Sequence, residues 1–198
     1  MTIDAPIRLA TTADRGATAA MLARAFQDDP AFAWILPDPA ERAKRLPRVF
    51  ALLFDSDGGA GMRLLTGGGE AATLWRGPGQ ERVGWAGLLR HAVPLLMALG
   101  GATRRAMAVS DAIDVHMPAG DFWYLHIAGC DPAAQGRGWG RAALHAGLAR
   151  AAGRLPCYLE TATERNLGFY TAAGFAVTGE WRVGGDGPRF WSMLRSAD

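Results

Sequence analysis

The stretch Leu125-His126-Ile127-Ala128-Gly129-Cys130-Asp131-Pro132-Ala133-Ala134-Gln135-Gly136-Arg137-Gly138-Trp139-Gly140-Arg141-Ala142-Ala143-Leu144 decides how this chain is read. It opens inside an aromatic-rich strand predicted over Phe122 to Ala128. Gly129 to Gln135 is a connection, and Arg137 to Ala152 has the Ala- and Leu-rich character of a helix. Gly136, Gly138 and Gly140 leave backbone N–H groups at the helix start uncovered by side chains. Such first-turn donors have no intrahelical partner and lie at the positive end of the helix dipole. A diphosphate accepts several of these bonds at once, and Arg137 and Arg141 add positive charge beside it. A tight turn with close helix–strand packing is the competing reading of the same glycines.

Downstream, Cys157 to Thr161 is a second strand, so strand, glycine loop, helix and strand imply a parallel pair with a crossover helix. Asn166 to Ala173 is a short helix ended by Gly174. Phe175 to Trp181 and Phe190 to Arg195 are strands around the turn Gly184-Gly185-Asp186-Gly187. Upstream, Ile7-Arg8-Leu9 alternates as a strand, and Thr12 is the expected cap of a helix over Asp14 to Phe26. Asp28-Asp29-Pro30 breaks it, and a short apolar segment runs to Leu36. Pro37-Asp38-Pro39 turns into a helix over Ala40 to Phe54. Asp57-Gly58-Gly59 and Gly67-Gly68-Gly69 bracket a hairpin of Met62 to Thr66 with Ala71 to Trp75. Gln80 to Ile113 reads as helical in two pieces split at Gly100-Gly101.

Several function classes fall away. No Gly-Lys-Ser/Thr ends the loop, and Lys44 is the only lysine, which excludes a P-loop NTPase. Gly138-Trp139-Gly140-Arg141-Ala142-Ala143 formally fits a dinucleotide fingerprint, with Glu160 at the end of the next strand. That fold turns directly from strand into helix, whereas Gly129 to Arg137 intervene here. It also needs further βα units, and only 38 residues follow Glu160. A net charge of +2 with no basic stripe gives no nucleic-acid surface. Cys130 and Cys157 make no metal spacing, so no metal is expected. The N-terminus lacks a signal pattern and His91 to Thr103 is too short to span a bilayer, so the expectation is a cytoplasmic protein with no membrane partner. The Arg-, Ala- and Gly-rich composition reads as the coding bias of a GC-rich bacterial genome.

Leu125 to Leu144 resembles motif A of the GNAT superfamily of acyl-CoA acyltransferases: a strand, Asp131-Pro132, then Gln135-x-x-Gly138-x-Gly140. Asn166-Leu167-Gly168-Phe169-Tyr170 followed by Ala173-Gly174-Phe175 resembles the downstream motif of the same superfamily. Arg8-Leu9-Ala10-Thr11, Ala25-Phe26-x-Asp28, Leu159-Glu160-Thr161 and Arg165-Asn166-Leu167 are similar to the puromycin N-acetyltransferase group within it. The resemblance covers both ends and the last third, and is weak from Gln80 to Gly120. It implies a single α/β (α+β) domain over 1–198, with an acceptor-side half (1–120) and an acetyl-CoA-binding half (121–198). The implied GNAT fold is a mixed, mostly antiparallel sheet of six to seven strands, its parallel central strands splayed and its faces flanked by helices. The implied activity is transfer of acetyl from acetyl-CoA to a primary amine of a small molecule, antibiotics and other xenobiotics among them. A non-catalytic acyl-CoA sensor on the same fold and, further off, the dinucleotide oxidoreductase are the alternatives. A homodimer stays open.

The resemblance also implies roles. Backbone groups of Ala128, Gly129 and Cys130 would meet the pantetheine arm as an added strand does. N–H groups of Gly136, Arg137, Gly138 and Gly140 would hold the pyrophosphate, with Gln135, Trp139 and Arg141 around it. Asn166, one turn before Tyr170, would hold the cofactor arm. Tyr170 would hydrogen-bond or protonate the departing sulfur; the plain alternative is a tyrosine packed beneath the sheet. Tyr124 and His126 share a strand face by alternation and are both candidates for the general base, as is ordered water. Asp28 and Asp29 are candidates to attract a cationic acceptor, or only terminate a helix before Pro30. Glu160 is an acceptor contact or a surface carboxylate. Trp75, Trp85, Phe122 and Trp123 line an acceptor pocket or belong to the core.

Overall fold

The computed structural model describes residues 6–82, 93–151, 153 and 155–197. Seven strands form one sheet: β1 (Ile7–Leu9), β2 (Gly61–Thr66), β3 (Ala71–Arg76), β4 (Trp123–Cys130), β5 (Cys157–Thr161), β6 (Ala176–Arg182) and β7 (Arg189–Arg195). Their spatial order is β1-β2-β3-β4-β5-β7-β6. Every neighbouring pair is antiparallel except β4 and β5. A doubly wound dinucleotide fold needs a mostly parallel sheet, so the sheet itself removes that alternative.

The helices are α1 (Arg15–Ala25), α2 (Pro30–Ile35), α3 (Pro39–Ala60), α4 (Thr103–His116), α5 (Trp139–Ala151) and α6 (Leu167–Thr171). Residues 93–99 are also helical. On one face of the sheet, Leu22 of α1, Phe50 and Phe54 of α3 and Val109 of α4 pack with Leu74 and Ile127. On the other, Leu144 and Leu148 of α5 and Tyr170 of α6 pack with Trp75, Leu125 and Met193. Burying large side chains of this kind supplies roughly 1.5–3 kcal/mol apiece. The α5 contact is close: a Cβ on Gly147 would lie 2.5 Å from the Trp75 indole.

Most of the expected elements are present, and three differences have identifiable causes. Asp14, not Thr12, organises the entry to α1: its carboxylate accepts from the Thr11 amide at 2.8 Å and from Arg8. The helix predicted to stop at Phe54 continues through Asp57-Gly58-Gly59 to Ala60. There the Arg63 guanidinium, reaching back from β2, donates to the Phe54 carbonyl at 2.8 Å and covers the Phe54 ring. Finally, α5 begins at Trp139 rather than Arg137, because Gly136 and Gly138 hold left-handed φ values of 76° and 90°. Of the helix expected over Gln80 to Ile113, residues 80–82 are not helical, 83–92 lie outside the described residues, and from 93 to His116 the chain stays helical, with Gly100–Ala102 a 3₁₀ turn rather than a break.

Candidate active site

A cleft of about 1660 Å³ opens where β4 and β5 part. The two strands pair only at Trp123↔Cys157 and Tyr124↔Tyr158, although β4 continues to Cys130. Beyond Tyr124, β4 is paired with β3 alone. Residues Ala128 to Cys130 and the whole loop from Gln135 to Arg141 line this opening. The Gln135 amide ties the loop to the strand end by donating to the Cys130 carbonyl at 3.3 Å. A Cβ on Gly140 would lie in ordinary contact with the Cys130 Cβ at 3.8 Å and the Phe169 ring at 3.9 Å. The first-turn amides of α5, a thirteen-residue helix, stand at this end of the cleft, where the Gly140 amide donates to the Cys130 sulfur. Gly129 serves a different purpose: a Cβ there would lie 2.5 Å from the Leu22 side chain, so its absence lets α1 approach β4.

The opposite wall is α6 and the turn before it. Tyr170 is 7% exposed, with its ring against Phe169 and Phe175. Its hydroxyl makes no hydrogen bond to the described residues. Burial raises its pKa, and the nearby Asp29 and Glu160 add to the shift, so the phenol keeps its proton. Asn166 and Phe169 line the same wall.

The rest of the cleft is assembled from side chains. Phe26, Phe32, Ile35, Leu53, Val109 and Ile113 give it an apolar surface, and Phe26, Phe32 and Phe50 form an aromatic cluster with centroids 5.1–5.7 Å apart. Asp29, Asp111, Asp114 and Glu160 bring carboxyl groups to it. Glu160 Oε1 accepts a hydrogen bond from the Tyr124 hydroxyl, whereas its buried Oε2 has no partner among the described residues. Burial pushes the Glu160 carboxyl up to about 8, against the hydrogen bond from Tyr124, and it holds its proton at neutral pH. Burial raises Tyr124 too, with Glu160 adding to the shift. On the other side of Tyr124, His126 Nδ1 lies 2.7 Å from Asp57 Oδ2, and Asp57 Oδ1 accepts from Arg76 Nε at 2.7 Å.

No family model matches the chain. Its backbone superposes on that of a histone acetyltransferase HPA2-related acetyltransferase from Corynebacterium glutamicum with a TM-score of 0.76. That pair is 26% identical, over 100% of this chain and 98% of the other. The chain has the fold of the GNAT acetyltransferases, and this neighbour supports an acetyltransferase of that kind. Two insect structures share the fold at lower identity. Arylalkylamine N-acetyltransferase 2 from Aedes aegypti has a TM-score of 0.64 and 9% identity over 98% of this chain and all of that one. The Drosophila melanogaster polyamine N-acetyltransferase has 0.56 and 14%, over 98% and 100%.

In this GNAT structure the expected site residues fall into two groups. Gln135 to Arg141, Ala128 to Cys130, Asn166, Tyr170, Tyr124, His126, Glu160 and Asp29 all line one cleft. Asp28 does not: its side chain is 89% exposed and lies 4.0 Å from Arg42. Asp29 turns inward because it caps α2, accepting from the amides of Ala31 and Phe32, and Thr163 donates to its other oxygen at 3.4 Å. Burial raises its pKa against those bonds. Trp75 belongs to the core under α5 and Phe122 packs on Tyr158, while Trp85 lies outside the described residues. Besides Tyr124, Trp139 and Tyr170, the aromatic rings that line the cleft are Phe26, Phe32, Phe169 and Phe190. Asp57 and Arg76 carry no local sequence signal; only their meeting in space distinguishes them. Among the described residues no cluster of three His, Cys, Asp or Glu side chains is placed to hold a metal, and no helix is long and apolar enough to cross a membrane.

Proposed function

We propose that this GNAT-fold protein moves the acetyl group of acetyl-CoA to the primary amine of a small molecule by direct attack on the thioester. The observation that carries the reading is the parting of β4 from β5 beside the glycine loop, with the Tyr170 hydroxyl on the facing wall. The residues present fit the donor. Gly136 and Gly138 take backbone conformations that side chains resist. The amides at the start of α5 would hold the pyrophosphate, Ala128 to Cys130 the pantetheine arm by strand-like pairing, and Asn166 the same arm from the α6 side.

Tyr170 donates its phenolic proton to the departing sulfur as the C–N bond forms and the C–S bond breaks. It recovers a proton, through water, from the nitrogen of the new amide. A protonated, unpartnered phenol is the state this step requires. The apolar surface of the acceptor half, with Asp111 and Asp114 beside it, suits a cationic amine carrying a bulky apolar body. With the sequence correspondences to the puromycin N-acetyltransferase group, this favours an antibiotic or other xenobiotic amine.

Acetyl-CoA and CoA are expected to raise the melting temperature, and NAD to leave it unchanged. Thiol should then be released from acetyl-CoA only when an amine from a panel of polyamines, arylalkylamines and aminonucleosides is added. Failure of both CoA and acetyl-CoA to bind overturns the reading. Binding without release against every amine would make the chain an acyl-CoA sensor.

A further inference from the structure

We propose that His126 is the base that takes the proton from the acceptor amine, and that Asp57, anchored by Arg76, is the positioning residue that fixes its imidazole. This rests on the acetyl-transfer reading above. The starting point is the register between β3 and β4. Leu74 faces Ile127 and Trp75 faces Leu125, so His126 is the extra residue of a bulge. The bulge breaks the alternation: Leu125 packs toward α5 and Ile127 toward α1 and α3. His126 is thereby aimed between the end of α3 and the cleft it lines.

What it meets there is a carboxylate with no access to water. Asp57 is 0% exposed and Arg76 is 6% exposed. Arg76 Nη1 also donates to the Glu81 carbonyl at 2.9 Å, which locks the guanidinium. A buried, ionised carboxylate can only accept, so the bond at 2.7 Å requires the proton of the imidazole on Nδ1. The lone pair is then on Nε2, which makes no hydrogen bond to the described residues. Arg76 balances the charge of Asp57 through one oxygen, and the second oxygen is spent on orienting the ring.

The groups facing this imidazole are Asp57 from α3, Arg76 from β3, Tyr124 on its own strand and, beyond Tyr124, Glu160 from β5. Asp111 and Asp114 of α4 line the same cleft. Burial, aided by Arg76, holds His126 below its usual pKa against the pull of Asp57, leaving it neutral at pH 7 and able to accept a proton. The rival base, Glu160, is protonated at that pH, with one oxygen already occupied by Tyr124. The step balances simply. The acceptor ammonium gives one proton to Nε2, the neutral amine attacks, and the imidazolium passes that proton to solvent.

The test measures kcat/KM against pH in the full chain for two acceptors. One is an alkylamine that is protonated at the assay pH, and the other an amine already neutral there. His126→Gln is expected to lower kcat/KM for the alkylamine by about 100-fold at pH 7 and to abolish the acidic limb of its profile. Its loss for the neutral amine should be at least tenfold smaller. Asp57→Asn should show the same selectivity at about a tenth of the size, with acetyl-CoA affinity retained. Imidazole nitrogen NMR of the unliganded wild type supplies a readout independent of turnover: His126 should carry its proton on Nδ1. Equal losses for both amines, or an Nε2-protonated tautomer in the wild type, overturn the proposal. If the wild type releases no thiol with any amine, the acetyl-transfer reading fails instead, and the tautomer result still reports on the Asp57–His126 geometry.

Discussion

The two halves of the cleft are built from different materials. The half proposed to hold the donor is backbone: an edge of β4 freed from β5, two left-handed glycines and the first amides of α5. The acceptor half is side chains, contributed by α1, α2, α3, α4 and the central strands. A backbone site needs Cβ atoms to be absent, and is damaged by adding one. A side-chain site is damaged by removing a functional group while leaving the chain path alone. The difference also sets tolerance to change, since the donor half constrains a short segment tightly and the acceptor half constrains many positions loosely.

Tyr170 stands where the halves meet, and its loss should produce the largest effect. Tyr170→Phe keeps the ring contacts with Phe169 and Phe175 and removes only the hydroxyl. The expected outcome is a fall in kcat of about 100- to 1000-fold with the dissociation constant for acetyl-CoA unchanged, read by stopped-assay kinetics and calorimetry. Unchanged turnover would return Tyr170 to a packing role. Next in size is Gly138→Val, which places a β-branched side chain at φ 90°. Strain of about 1–3 kcal/mol and a Cβ beside the α5 amides should weaken acetyl-CoA binding by roughly 10- to 100-fold. The KM for the amine should hold, which distinguishes a donor-half lesion from a general one.

The same contrast explains what could be seen in the sequence. The elements of the proposed donor half were legible because their signals are local. A glycine loop, a helix and two strands follow one another within Trp123 to Tyr170, and each leaves its own pattern. The acceptor half was not, because its decisive pairs are distant: Tyr124 and Glu160 are 36 residues apart, and Asp57 and His126 are 69 apart. Their meeting depends on a bulge without a glycine to announce it and on a helix that runs through Asp57-Gly58-Gly59. That triplet reads as a turn until Arg63 is seen satisfying the Phe54 carbonyl. Asp28 and Asp29 make the limit plain. The two neighbours are chemically identical, and only the capping geometry of α2 sends one inward.

Glu160→Gln probes the acceptor half through stability. The folded-state pKa of Glu160 is raised from 4.5 to about 8, so between those values the native state binds more protons than the unfolded state. Stability therefore falls as pH rises through this window. Glutamine mimics the protonated acid and still accepts from Tyr124. The variant should match the wild type near pH 4.5 and exceed it by roughly 2–4 kcal/mol above pH 8, measured by urea denaturation at a series of pH values. Parallel stability curves for the two proteins would show that Glu160 ionises normally.

The smallest expected effect tests whether the donor half is as purely backbone as its geometry implies. Arg137 and Arg141 flank the loop and are exposed, with no ion pair to the described residues. An exposed guanidinium near a phosphate contributes about 0.3–1 kcal/mol, and salt screens it over roughly 10 Å at 0.1 M. Arg137→Ala and Arg141→Ala should each weaken acetyl-CoA binding only about two- to fivefold at low ionic strength, and less at 0.5 M salt. A loss as large as that of Gly138→Val, persisting in salt, would mean that side chains carry the donor half after all. The division between the two halves would then be one of degree, because both would depend on placed functional groups rather than on a chain path kept clear of them.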